Sequence, residues 1–450
     1  MSASIFKAYD IRGLVDGEIT PDFAFSTGAA FARFLKGERE PGTVVIGEDM
    51  RPSSPELAEA FSAGITSQGL DVIRIGLAST DMLYFAAGKL NLPGAMFTAS
   101  HNPAAYNGIK MCLSGARPIG KESGLLTIEK FVTEGSPIAL NQVGVERHQD
   151  MLDEYVDHLL SMVNLAKTRK LKIVIDAGNG MAGHTAPAVF KKLNADVTEM
   201  YFELDGSFPN HEANPIDPEN LRDLQAAVKK EGADIGLAFD GDADRCFLVD
   251  EKGEPVNPSA LTALIATREL AKYPGSTIIY NLISSKAVRE IVEEAGGTSV
   301  RSRVGHSYIK KLMAETGAVF GGEHSGHFYF RDFWRADSGM LAALHAIAAL
   351  GENEVPLSEL LAPFNRYFSS GEVNSTVKDA AAAAAKIEEI YGSKPGVELD
   401  RLDGLTVTGD TWWFNLRASN TEPLLRLNVE ATTADEMASI RDSVLNTIRA

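Results

Sequence analysis

The chain has 450 residues, 44% of them hydrophobic and 23% charged, with a formal net charge of −18, a pI near 5.0 and a mean hydropathy of −0.07. Length alone points to roughly three domains, and two to four are reasonable; the composition is that of an ordinary soluble globular protein. The acidic balance, with no dense Lys/Arg run, argues against a nucleic-acid partner, and a small anionic ligand would need a local cluster of positive charge against that background.

No apolar run is long enough to cross a bilayer. The best candidate, GMLAALHAIAAL, is interrupted by His345 and reads as a buried helix. The start, MSASIFKAYDIRG, has no basic region followed by an apolar core. Two cysteines, Cys112 and Cys246, stand without metal-type spacing and suit a reducing cytoplasm. The expectation is a cytoplasmic protein with no membrane partner.

In chain order, a pattern recurs three times: a β-branched strand, a helical stretch, a second strand, then a third strand ending in polar residues. The strands are TVVIGED, LDVIRIG and GAMFTAS in the first unit, LKIVIDAG, ADVTEMY and DIGLAFDGDAD in the second, and STIIYNLI, TSVRSRVGH and AVFGGEHSGH in the third. PELAEAFSAGITSQG and SSKAVREIVEEAGG are among the helical stretches. Each unit reads as an α/β domain with a helix-covered sheet. Beyond about residue 365 the texture changes. VKDAAAAAAKIEEIYG is a helix by its alanine content. DGLTVTGD, TWWFNLRAS and LLRLNVEATT read as antiparallel strands, and ADEMASIRDSVLNTIRA as a closing helix. The predicted fold is three similar α/β domains with mixed sheets and a smaller C-terminal α+β domain, spanning 1–145, 146–252, 253–365 and 366–450.

Chemistry concentrates where the third strands end. GAMFTASHNP would hold the Ser100 hydroxyl on a tight turn at a strand's carboxyl end, although Ser, His and Asn before Pro are also common turn and cap residues. Asp240, Asp242 and Asp244, spaced by Gly241 and Ala243, can converge on one hard divalent cation if the backbone curls around it. The same letters also suit a solvated acidic turn or part of a calcium loop, but an EF-hand needs a glutamate at loop position twelve. Here the chain runs into the apolar CFLVD instead. GGEHSGH, with Glu323 and Ser325, taken alone is a Gly-rich polar turn able to hydrogen-bond sugar hydroxyls. RASNTEP, with Arg417 and the later Arg426, can surround a phosphate with donors or be a plain hairpin loop. Lys7, Arg12, Lys110, Arg303 and His306, each alone, read as surface or core residues.

Together and in this order, FKAYDIRG, TASHNP, DGDADR, GEHSGH and RASNTEP resemble the α-D-phosphohexomutase superfamily, specifically its phosphomannomutase/phosphoglucomutase members. PNHEANPIDPENL (209–221) adds a further family-like segment, and the resemblance spans essentially the whole chain. It implies four domains around a central cleft and an enzyme phosphorylated on serine. Carried over by motif, Ser100 bears the phosphoryl group, and Asp240, Asp242 and Asp244 hold Mg²⁺ beside it. Glu323 and Ser325 read the sugar, while Arg417, Ser419, Asn420 and Thr421, followed by Arg426, hold the phosphate that is not reacting. Arg12, His101, Lys110, Arg245 and His306 match residues for charge stabilisation, substrate contact and proton handling.

The implied reaction interconverts mannose 1-phosphate and mannose 6-phosphate, and the corresponding glucose phosphates, through a hexose 1,6-bisphosphate. The partner is a small hexose phosphate, and the protein is a monomer or homodimer. The alternatives are a phosphoglucosamine mutase, which shares the G-E-x-S-G-H loop, a metal-dependent sugar phosphatase with Asp240 as nucleophile, and a silent sugar-phosphate sensor. Three positions depart from common forms. Ala243 stands where many relatives have glycine, His324 fills a variable place, and Ile283 lies where some relatives carry a substrate-contacting Lys.

Overall fold

Parallel strands with both faces covered become continuous apolar runs rather than alternating ones, and the central strands here follow that rule. In the computed structural model, which describes residues 5–136, 143–377, 379–418 and 424–449, Gly94–Phe97 is buried at every position and pairs in parallel with Thr43–Glu48, which pairs in parallel with Asp71–Leu77. The chain forms two units: one of Met1–Pro258, Met313–Glu315 and Ser325–Leu360, the other of Ser259–Leu312, Thr316–His324 and Leu361–Ala450.

Among the described residues the first unit holds two sheets and a short antiparallel pair, Phe328–Phe330 with Ala336–Asp337. In one, Gly94–Phe97 is followed by an antiparallel return strand, Tyr106–Leu113, whose far edge pairs with Ile11–Leu14. The helices Pro21–Glu38 and Ser54–Ser67 cover this sheet, with Phe31, Phe61 and Phe97 fully buried among Val44, Ile46 and Ile109. In the other, Leu171–Asp176 lies in parallel register with Ala195–Met200 and with Ile235–Phe239, and Cys246–Asp250 returns antiparallel to the latter. The serine motif and the aspartate motif are therefore each a connection between a buried parallel strand and its antiparallel return. The helix Gly339–Gly351 is buried at every residue, as its composition predicts, and His345 stacks on Phe330.

In the second unit, Thr277–Asn281 pairs in parallel with Thr298–Ser302 and Phe320–Gly322. The C-terminal segment is a wholly antiparallel sheet in the order Phe368–Thr376, Leu424–Ala431, Trp412–Ala418, Leu405–Thr408, Glu398–Asp400. Helices Ala380–Gly392 and Ala434–Arg449 pack on it through Ile387, Tyr391, Val444 and Ile448. The fold class is thus three α/β domains with mixed pairing and a C-terminal antiparallel-sheet domain. Among the described residues, no helix is long and apolar enough to cross a membrane.

Candidate active site

Ser100 sits three residues past the buried strand Gly94–Phe97, in the left-handed region with φ of 50°. That conformation is costly for a residue with a Cβ, and local bonds hold it. The Ser100 amide donates to Thr98 Oγ1 at 2.9 Å, and the Asn102 amide to the Ala99 carbonyl at 3.0 Å. The hydroxyl, on a residue only 1% exposed, donates to Asp240 Oδ2 at 2.7 Å. Because its single proton is used there, the 3.2 Å contact with His101 Nδ1 needs that ring nitrogen as the donor.

The acidic loop curls as the sequence requires. Ala243 takes φ of 59°, its amide donates to the Asp240 carbonyl at 3.0 Å, and Asp240, Asp242 and Asp244 become neighbours. A left-handed backbone at this position explains glycine in relatives; alanine is tolerated with its methyl buried. Gly241 admits the serine turn, since a Cβ there would lie 2.4 Å from the Ser100 carbonyl oxygen.

All three aspartates are buried, and one oxygen of each lies within 4.8 Å of the others. Their outer oxygens are occupied. Lys110 Nζ donates to Asp242 Oδ2 at 2.7 Å and to Asp244 Oδ2 at 2.6 Å, and Thr80 Oγ1 donates to Asp242 Oδ2 at 2.6 Å. The Arg245 amide donates to Asp240 Oδ1 at 3.1 Å. By contrast, Asp242 Oδ1 is buried without a hydrogen-bond donor among the described residues, and Asp244 Oδ1 meets no donor closer than His327 Nε2 at 3.4 Å. Buried carboxylate oxygens left in that state are costly, and hard oxygen donors at this spacing fit a divalent cation.

The electrostatics are those of a crowded, dry cluster. Burial, then Asp244 and Asp242, push Asp240 up to about 7. Burial also opposes ionisation of Asp244, but Lys110, His327 and Arg245 outweigh it and hold that carboxyl well below the usual range. Burial works against the Lys110 ammonium, yet Asp242 and Asp244 keep it firmly charged. His101 is held well below the ordinary imidazole value by burial and by Arg245 and Arg12, so its ring is neutral. Arg12 Nη2 pairs with Asp10 Oδ2 at 2.6 Å and Nη1 donates to Asn102 Oδ1, tying the N-terminal strand to the serine turn. Ser100, His101, Lys110, Arg12, Arg245 and the three aspartates are therefore one cluster.

The remaining candidates are placed separately. Ser325 Oγ lies 3.2 Å from His327 Nδ1, in the first unit. In the second unit, Glu323 is 1% exposed, and its Oε1 accepts from Asn281 Nδ2 at 3.2 Å and from the Gly305 amide at 3.0 Å, next to His306 at the start of helix His306–Thr316. His324 Nδ1 is 3.2 Å from Ser259 Oγ, and burial pushes its ring down to about 4. Arg417 and Arg426 face each other across adjacent strands, with Glu372 3.7 and 3.4 Å from their guanidinium nitrogens. Ser419, Asn420 and Thr421 lie outside the described residues.

Sequence reasoning missed three contributors. His327 closes the quoted GEHSGH loop, and its Nε2 stands 3.4 Å from Asp244 Oδ1 and 3.9 Å from Asp337 Oδ2. Thr80 reads as an ordinary residue after the cap Ser79, yet reaches a carboxylate 162 positions away. Arg51, in GEDMRPSSP, is 1% exposed. An Arg two residues after an acid and ahead of Pro-Ser-Ser-Pro was the available signal.

Comparison with known proteins agrees with the resemblance along the whole chain. The α/β/α domains I, II and III of the phosphoglucomutase/phosphomannomutase family match residues 3–138, 153–253 and 257–367, and its C-terminal domain matches 372–447. A phosphomannomutase of Escherichia coli is 40% identical over 452 residues, covering 98% of each chain. A protein of Xanthomonas campestris described as phosphohexose mutases is 42% identical over 432 residues, covering 96% of this chain and 95% of its own. The crystal structure of a phosphoglucomutase/phosphomannomutase family protein from Burkholderia thailandensis superposes with a TM-score of 0.90 at 34% identity, covering 100% of this chain and 98% of that one. With the serine turn, the aspartate trio and all four domains accounted for, the chain belongs to the phosphoglucomutase/phosphomannomutase family of phosphohexose-mutating isomerases.

Proposed function

We propose that Ser100 carries a phosphoryl group and passes it between the two ends of a hexose phosphate. The observation that carries this reading is the Ser100 hydroxyl, 2.7 Å from a carboxylate of a buried aspartate trio whose Asp242 Oδ1 has no donor among the described residues and whose Asp244 Oδ1 meets only a 3.4 Å imidazole contact. A sugar hydroxyl oxygen attacks the phosphorus; its bond to phosphorus forms, the Ser100 Oγ–P bond breaks, and the sugar proton leaves to an acceptor. Neutral His101 meets that last need, whereas Lys110, kept charged, offsets developing negative charge. Mg²⁺ held by Asp240, Asp242 and Asp244 with the Ser100 oxygen would draw charge from the bond being broken. The product of this half-reaction is a hexose 1,6-bisphosphate, which turns end over end and returns its other phosphoryl group to Ser100.

In this reading Arg417 and Arg426 hold the phosphate that is not reacting, with Ser419, Asn420 and Thr421 of the same motif, and His306 contacts the substrate. Two adjacent guanidiniums sharing one carboxylate support that role. Glu323 and Ser325 read sugar hydroxyls and leave the 2-position largely unread. Mannose 1-phosphate and glucose 1-phosphate are then both substrates, since one hydroxyl discriminates weakly without a buried partner. Domain limits near 145, 252 and 366 and a cytoplasmic location belong to the same reading, the latter supported by two buried free cysteines.

The test is the mass of the peptide containing Ser100, with turnover of mannose, glucose and glucosamine 1-phosphates measured in the presence of the bisphosphate and Mg²⁺. One added phosphoryl mass and loss of isomerisation in Ser100→Ala are expected. Net phosphate release that survives Ser100→Ala would establish a phosphatase instead, and a large preference for the amino sugar would overturn the assignment of the hexose.

A further inference from the structure

Arg51 is among the largest fully buried side chains of the protein, and no step above uses it. Its guanidinium lies beneath the serine turn. Nη2 donates to the carbonyls of Ser100 at 2.9 Å and Asn102 at 2.6 Å, and Nη1 donates to those of Pro103 and Tyr106, both at 2.9 Å. The remaining nitrogen, Nε, faces Asp49 Oδ2 at 3.2 Å. Asp49 is itself fixed by Ser54 Oγ at 2.6 Å and by the Arg51 amide at 3.0 Å. The fork of one arginine thus spans three carbonyls of the turn that holds Ser100 at positive φ and a fourth at the start of the return strand, Tyr106.

The same guanidinium is covered from the neighbouring domain of this unit. Phe208 places its ring 5.1 Å from Arg51 Cζ, and Gly206 packs so closely that a Cβ would lie 2.6 Å from Arg51 Cα. The Ser100 carbonyl that accepts from Arg51 is also the atom against which Gly241 of the aspartate loop packs. Arg51 therefore holds the serine turn at the very carbonyl that meets the aspartate loop, and is itself packed against residues 206–208 of the domain that carries that loop. A backbone held in a sparsely populated conformation persists only where its surroundings over-determine it, and the fixed donors of the fork supply that.

We infer that Arg51 is a positioning residue for phosphoryl transfer, setting the serine turn against the aspartate loop. This rests on the reading of Ser100 as the phosphoryl carrier. Arg51→Lys keeps the charge but offers three donors in place of a planar fork, so it cannot serve all four carbonyls.

The experiment is a single-turnover measurement with phosphorylated full-length protein, Mg²⁺ and mannose 1-phosphate, the rate being expressed per phosphorylated Ser100, alongside steady-state kcat and KM. Arg51→Lys is expected to lower the rate per phosphoenzyme and kcat by about 10²-fold, the scale of a 1 Å misplacement of a reacting group. KM should stay within about threefold, because the residues assigned to the sugar and its far phosphate are untouched. A merely structural role would reduce the fraction of competent protein and leave the rate per phosphoenzyme at the wild-type value, and that result overturns the inference. If Arg51→Lys fails to fold, the isosteric Asp49→Asn, which retains one acceptor oxygen while removing the counter-charge, carries the same measurement with the same two outcomes. Wild-type protein that takes no phosphoryl group on Ser100 would refute the proposed function; an active wild type with an unimpaired variant refutes only the role of Arg51.

Discussion

Lys110→Met asks what neutralises the aspartate trio. The ammonium contacts Asp242 and Asp244 at 2.7 and 2.6 Å, with the lysine side chain 11% exposed and the carboxylates 0% and 2%. At an effective dielectric near 20, each contact is worth about 6 kcal/mol gross. Desolvation cancels most of that, and removing one partner of a buried pair costs about 3–5 kcal/mol, because the other is left uncompensated. Unfolding of a chain with several domains is not two-state, so a local readout is needed. Hydrogen exchange at the amides of Thr80 and Ala243, which donate to the carbonyls of Asp242 and Asp240, reports opening of this cluster. Without divalent cation, Lys110→Met should lose about 3–5 kcal/mol of protection there. Mg²⁺ at about a hundredfold over its Kd adds about 2.7 kcal/mol to the wild type. It should add more to the variant, where no ammonium competes for the carboxylates, so the gap narrows on loading. Equal protection of the two metal-free proteins, or a Mg²⁺-induced gain no larger in the variant, would refute the charge argument.

Three further outcomes follow from the same geometry. Asp81, buried and pushed up to about 6 by burial against hydrogen bonds from Ser338, Ser79 and Tyr155, has a folded value above its unfolded one. Its stabilisation is therefore complete below about pH 4 and lost as pH rises through about 6, amounting to about 3 kcal/mol. Asp81→Asn should gain on the wild type by that amount between about pH 4.5 and 7 in exchange or urea series, and a difference flat with pH would contradict it. Gly241→Ala puts a Cβ 2.4 Å from the Ser100 carbonyl, so backbone must move; kcat should fall by about 10²-fold with weakened Mg²⁺ binding in calorimetry, and a kcat near wild type would show that the loops adjust freely. Arg417→Ala should lower kcat/KM by about 10–100-fold, the worth of charge-assisted hydrogen bonds to one phosphate. Unchanged kinetics would move the phosphate site elsewhere.

The chemistry-bearing loops were legible because each combines a buried strand with a polar reversal. GAMF into TASHNP and IGLAF into DGDADR break from apolar to polar within one residue, and the structure puts a strand end at each break. GMLAALHAIAAL was legible as a buried helix for the converse reason: it has no polar face at all. Strand order was not legible, because the return strand Tyr106–Leu113 carries Asn107, Gly108 and Lys110 and shows no clean alternation. Its side chains are chosen for the site as much as for the sheet. Thr80 and Arg51 were hidden for another reason. Their partners lie 162 positions away and on a turn about fifty positions away, so nothing local marks a hydroxyl beside a helix cap, and the acid and Pro-Ser-Ser-Pro that flank Arg51 single it out without showing what it holds.

The acidic character of the whole chain makes the balance at the aspartate cluster informative. Three carboxylates face two permanent cations, Lys110 and Arg245, and with the neighbouring His327 ring neutral the surplus is one negative charge. Near neutral pH, with Asp240 pushed up to about 7, a proton on that carboxyl can meet the surplus when no metal is present. A dication displaces that proton and leaves the cluster one positive charge in excess. A phosphoryl group on Ser100 alone would stand against an already negative trio. Together, dication and phosphoryl group restore the original balance, so each favours the arrival of the other, and by linkage the coupling is reciprocal. A protein of net charge −18 can thus concentrate an anion without a basic surface. It needs only a buried, slightly negative pocket that recruits the cation first, and a fixed ammonium and guanidinium that prevent the three acids from repelling what the cation brings.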